Sequence, residues 1–193
     1  MKKFLVVLVL SFSVLVLKAQ KPIGNYYNEY FGKTFPLRAD TVDGDTWLYI
    51  GIHSWENEEA FISLVGEANI RAFVESLTKV RDKYVEWRKI AIDNNVQEFS
   101  KAFDIEFPPV NIAWYTDDWN FNFGHDLAPF FAILDGRRIV ACFHSEVSSS
   151  SNEYVSTKYY LIFESKRDFD SLLSMIRPEV VKRKLNNLDT LFQ

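Results

Sequence analysis

The chain has 193 residues, with 22 Lys and Arg against 26 Asp and Glu, a formal net charge of −4. It has no basic cluster of the kind that gives nucleic acid or an anionic lipid surface its counter-charges, so both are disfavoured as partners. A single cysteine, Cys142, excludes an intramolecular disulfide, and the apolar core must hold the fold alone.

Lys2 and Lys3 precede an apolar run from Phe4 to Leu17, and small Ala19 follows. This is the pattern of a secretory signal peptide over residues 1–19, with cleavage after Ala19. The ending Lys18-Ala19-Gln20 is similar to signals of bacterial envelope proteins. Cleavage takes Lys2, Lys3 and Lys18 with it and leaves 19 basic against 26 acidic residues, a net −7. The apolar run is too short for a comfortable membrane span. No cysteine follows it, which argues against a lipid anchor. The expectation is an exported bacterial protein, periplasmic or extracellular, with no stable membrane insertion after cleavage. Residues 20–193 suit a single domain.

Lys21 to Pro36 mixes Tyr26, Tyr27, Tyr30, Phe31 and Phe35 with polar residues and shows no period, so residues 20–40 are expected to form a loosely ordered arm. Asp43-Gly44 predicts a bend, since Gly44 tolerates positive φ. Trp47 to His53 alternates as a strand does, Glu56 to Glu59 reads as a polar turn, and Ala60 to Val65 as a returning strand. Asn69 to Asn94 then repeats Ile70, Phe73, Val74, Leu77, Val80, Tyr84, Trp87 and Ala91 at three- and four-residue intervals. That spacing predicts a helix roughly 35 Å long with one buried face, capped by Asn69.

Phe107-Pro108-Pro109 forces extended backbone and introduces a strand from Val110 to Thr116, followed by Trp119 to Phe123. Phe130 to Leu134 and Arg138 to Val147 flank Asp135-Gly136, the strongest hairpin signal in the chain. Both of these strands are apolar on two faces and should lie centrally. Tyr154 to Phe163 is a last strand. Ser165 to Asp168 resembles a capping box before Phe169, Leu172, Leu173 and Ile176, and Pro178 suits the first turn of a third helix. The expected fold is α+β: an antiparallel sheet of about six or seven strands with a long helix and a C-terminal helix packed on one face.

Trp114-Tyr115-Thr116-Asp117-Asp118-Trp119-Asn120 is the leading candidate site. Trp114, Tyr115 and Trp119 offer faces for a sugar ring, and Asp117, Asp118 and Asn120 offer partners for its hydroxyls. A second set, His125, Asp126, His144 and Glu146, carries metal-ligand chemistry without H-x-x-x-H or H-E-x-x-H spacing. Cys142 and His144 share a strand face but lack the other marks of a nucleophile pair. No G-x-S-x-G elbow, phosphate loop or dinucleotide-binding pattern occurs. The expected function is therefore a binding or interaction module without cofactor, its partner a glycan or another envelope protein. The alternative is a small metal-dependent or acid/base hydrolase using His125, Asp126, His144 and Glu146.

Overall fold

The computed structural model describes residues 20–135 and 138–190. The predicted signal segment and Gly136 lie outside the described residues. In chain order, the first half contains β1 (Lys21–Asn28), β2 (Lys33–Val42), β3 (Asp45–Gly51), β4 (His53–Ser54), β5 (Ala60–Val65) and helix α1 (Glu67–Asp93). The second half contains β6 (Phe99–Ala102), β7 (Val110–Tyr115), β8 (Trp119–His125), β9 (Phe130–Leu134), β10 (Arg138–Ser148), β11 (Ser156–Phe163), α2 (Lys166–Ile176) and α3 (Pro178–Thr190). The fold is α+β, as the sequence predicts. The strands divide into two antiparallel sheets, one ordered β1-β2-β3-β5-β7-β8 and the other β4-β11-β10-β9-β6.

Residues 20–40 form the first two strands and not a loose arm. Asp43 and Gly44, with φ of 52° and 89°, join β2 to β3 in a two-residue turn, and Val42 pairs with Asp45. Two positive φ angles in a two-residue loop match the right-handed twist of the strands. Asp135 has φ of 51° between β9 and β10, which pair from Leu134 and Arg138 onward.

Helix α1 buries Ile70, Phe73, Leu77, Val80, Tyr84 and Ala91 along one face. This face, Leu48, Ile50, Ile62 and Ile112 of the first sheet, and Phe131, Phe143 and Leu161 of the second belong to one apolar cluster. The helix begins after Gly66, not at Asn69, whose side-chain amide donates to the Val65 carbonyl instead of capping. The Tyr84 hydroxyl lies 2.9 Å from the Ile139 carbonyl and 2.6 Å from that of Glu164, which ties the helix to the second sheet. At α2 the predicted cap is present: Ser165 accepts from the Asp168 backbone N–H at 3.1 Å. Helix α3 runs through Asn186 and Asn187 to Thr190. Among the described residues no helix is long and apolar enough to cross a membrane.

Two features of the fold prepare the site. First, the chain leaves the first sheet at Gly51 and enters the second at His53, where β4 pairs with β11. Pro36 sits so close to Gly51 that a Cβ there would lie 2.7 Å from Pro36 Cδ and 2.8 Å from its carbonyl oxygen. Second, the turn between β1 and β2 is fixed over the outer face of the second sheet. Buried Asn28 donates to the Ile162 carbonyl at 2.6 Å, and the Asp168 carboxylate accepts from the backbone N–H groups of Glu29 and Glu164, each at 3.0 Å. Burial pushes the Asp168 carboxyl pKa upward against those hydrogen bonds.

Candidate functional site

The structure gathers most of the leading candidate residues at the β7–β8 hairpin. Tyr115 and Trp119 are paired across the two strands, their ring centroids 5.5 Å apart, on the face of the first sheet turned away from α1. Asp117 and Asp118 are exposed in the turn. Asn120 closes the turn, its amide donating to Thr116 Oγ1 and the Asp118 carbonyl at 3.1 Å each. Trp114 is separated from this group. It points the other way, is 0% exposed in the core, and its indole N–H has no partner among the described residues. Alternation along β7 sets this direction, because Val110, Ile112 and Trp114 share the inner face.

The second set is not brought together. His125 ends β8, with Nε2 2.8 Å from the Tyr159 hydroxyl. Burial holds its imidazole below the usual range, while nearby Asp126 acts in the opposite direction. His144 and Glu146 lie on the outer face of the second sheet. His144 packs between Phe130 and Tyr160, and Glu146 accepts from the Ser156 hydroxyl at 3.3 Å. Among the described residues no group of three His, Cys, Asp or Glu side chains is placed to hold a metal ion. Cys142 is buried two residues before His144, and burial pushes its thiol up to about 12, so it stays protonated at neutral pH.

A cleft of about 210 Å³ opens where the chain changes sheets. Its origin is a gap in strand pairing. β3 pairs with β2 only from the Leu37–Ile50 pair onward, so Lys33 to Pro36 have no ladder partner on that side, although Pro36 still packs against Gly51. The first residues of β5 form the opposite wall. His53, 8% exposed, lies at the base, its ring 4.3 Å from Phe31 and 4.5 Å from Trp55. Burial lowers the His53 pKa and the Lys33 ammonium lowers it further, so the imidazole is neutral at pH 7. Its Nε2 has no hydrogen-bond partner among the described residues.

The rest of the lining mixes apolar Pro36, Ile52, Ala60 and Phe61 with polar groups. The Asn57 amide donates to Ser54 Oγ at 2.9 Å and to Thr157 Oγ1 at 2.6 Å, which holds its side chain in place with the carbonyl oxygen still able to accept. Ser54 Oγ is thus held by Asn57 and Thr157, not by His53 Nε2, and no Ser–His nucleophile is built. Glu59 pairs with Arg38 at 3.2 Å, and Glu58 and Lys33 supply one charge of each sign. Trp55, 69% exposed, is outside the cleft's lining; it stands on the outer face of the second sheet, edge-on to His53 with ring centroids 4.5 Å apart. The cleft offers a fixed amide and charged groups around a space large enough for one small polar ring, and the Trp55 indole lies beyond His53.

The sequence reading missed this site. His53-Ser54-Trp55-Glu56-Asn57-Glu58-Glu59 carries the same mixture of indole, amide and carboxylate as the Trp114–Asn120 stretch. Reading it as a plain polar turn hid it. Comparison of the chain with protein-family models, curated proteins and solved structures finds no match in any of the three.

Proposed function

We propose that this chain is an exported, non-enzymatic binding module that takes a hydroxyl-rich ligand of saccharide type in the cleft between β2 and β5. The observation that carries the reading is a cleft whose Asn57 amide is fixed by two hydrogen bonds, with the exposed Trp55 in contact with His53 of its lining. An indole left in water at that exposure is stabilised by a ring laid on its face, and the polar groups of the cleft's lining can bond hydroxyls. Ser54 Oγ bonded to Thr157 and not to His53 Nε2 disfavours a serine nucleophile, and this supports binding over hydrolysis by that route. The predicted signal segment supports a place in the periplasm or outside the cell.

The test is calorimetric titration of the purified protein with glucose and N-acetylglucosamine, beside Trp55→Ala, Asn57→Ala and Trp119→Ala variants. Expected is measurable affinity that W55A and N57A each weaken about tenfold or more and W119A leaves unchanged. Affinity lost in W119A but kept in W55A would move the site to the β7–β8 hairpin. Hydrolysis of either sugar's β-linked dimer would overturn the non-enzymatic reading.

A further inference from the structure

The rings beside the cleft do not end at Trp55. On the outer face of the second sheet, His53 pairs across strands with Tyr160, and Tyr160 with His144. Opposed residues in an antiparallel pair project to the same face, so these rings form a line perpendicular to the strands. The Trp55 and Tyr160 centroids are 6.2 Å apart, those of Tyr160 and His144 5.7 Å, and those of His144 and Phe130 5.3 Å. Each step is comparable to the length of one hexose ring.

The flanks of this line differ. On one side the fixed β1–β2 turn lays Tyr30 and Phe31 over the neighbouring apolar patch of Val140, Cys142 and Ile162. Two residues further along the strands on the other side, Lys158 and Glu146 form a solvent-facing pair at 3.9 Å. The result is a row of rings, edge-to-face at Trp55–Tyr160 and His144–Phe130 and tilted by 35° at Tyr160–His144, with an apolar wall and a polar rail.

From this we infer that the ligand is a chain of sugar rings, not a single ring: one end occupies the cleft, and the following rings lie along Tyr160, His144 and Phe130. The inference rests on the saccharide reading of the cleft and extends it. A glycan chain fits because each sugar ring offers C–H groups to the faces and edges of this row and hydroxyls to the Lys158–Glu146 rail. An apolar protein surface does not fit, because it would bury Lys158, Glu146 and His144 away from water without new partners. The line is continuous with the cleft, since His53 contributes both to the cleft's base and to the register that sets the line.

The experiment is titration of the purified protein with β-1,4-linked glucose and N-acetylglucosamine oligomers of one to four rings, on wild type, His144→Ser and Tyr160→Leu. His144 is exposed, so H144S leaves the fold intact, and Y160L keeps most of the apolar volume that covers Ile162. Expected is affinity rising about three- to tenfold per added ring in one of the two series, with H144S and Y160L both reducing that rise and leaving single-ring affinity unchanged. Equal affinity for one and four rings would overturn the inference while the single-ring cleft stands. A rise with chain length that neither variant reduces would also overturn it, since the added rings would then lie elsewhere. No binding by any oligomer of either series would overturn the saccharide reading and the inference with it.

Discussion

Replacing Gly51 by Ala tests how the chain passes from one sheet to the other. The added methyl would lie 2.7 Å from Pro36 Cδ and 2.8 Å from the Pro36 carbonyl oxygen. Both atoms belong to a ring or a backbone that cannot swing aside, so β2 or β3 must shift by roughly half an ångström or more to restore ordinary contact. Such overpacking costs about 1–3 kcal/mol. The same displacement disturbs the hydrogen bond that the buried Tyr26 hydroxyl donates to the Gly51 carbonyl at 2.7 Å, worth about 1 kcal/mol more. The total, about 2–4 kcal/mol, corresponds to a melting temperature lower by about 2–4 °C for each kcal/mol in a chain of this size. Gly44→Ala is the control: its Cβ meets nothing within 4 Å, and only the left-handed backbone at φ of 89° penalises it, by about 1–2 kcal/mol. Urea unfolding followed by tryptophan fluorescence measures both. A G51A loss under about 0.5 kcal/mol, or one no larger than that of G44A, would refute the close approach of Pro36 as the reason for glycine.

Three further outcomes follow from particular contacts. Tyr84→Phe removes the hydroxyl that meets the Ile139 and Glu164 carbonyls, so stability should fall by about 1–3 kcal/mol in urea unfolding with an unchanged denaturant slope. Burial holds the His53 and His125 imidazoles below the ordinary histidine value of about 6.5, so the unfolded chain takes up protons before the folded one as pH falls. Their contribution is present above about pH 6.5 and is lost below it as pH falls toward the lowered folded values; His125→Gln should flatten the pH dependence of stability in that window. The Cys142 thiol, buried and pushed up to about 12, should resist iodoacetamide at pH 8 in the folded protein and react in 6 M urea, as mass spectrometry would show.

Periodicity made the α+β class and the long helix legible in the sequence. The apolar stripe from Ile70 to Ala91 can be buried in only one way, and Ser165 with Asp168 marks a helix start whose cap the structure contains. The hairpin signals at Asp135-Gly136 and Asp43-Gly44 were both present. The second reads only as a bend, because Lys21 to Pro36 lacks the alternation of a partner strand, although those residues form β1 and the first four residues of β2. Ile23, Tyr26 and Phe35 face inward, but a register shift between Pro22 and Gly24 and the burial of polar Asn28 blur the period. The division into two sheets was not legible. It depends on β3 ending at Gly51 and β4 pairing with β11, more than a hundred residues away, a contact that no local pattern encodes. For the same reason the cleft could not be read from composition: its walls come from β2 and β5, and only the gap in pairing between them makes a site around Asn57.

The most direct test of the binding account is an NMR titration with N-acetylglucosamine and glucose, following the indole N–H signals of the 5 tryptophans, with Trp55 assigned by W55F and Trp119 by W119F. The account predicts that the Trp55 signal moves on addition of at least one of the two sugars while that of Trp119, across the molecule's other sheet, stays in place. Movement of Trp119 with Trp55 unmoved, or no movement of either, would contradict it.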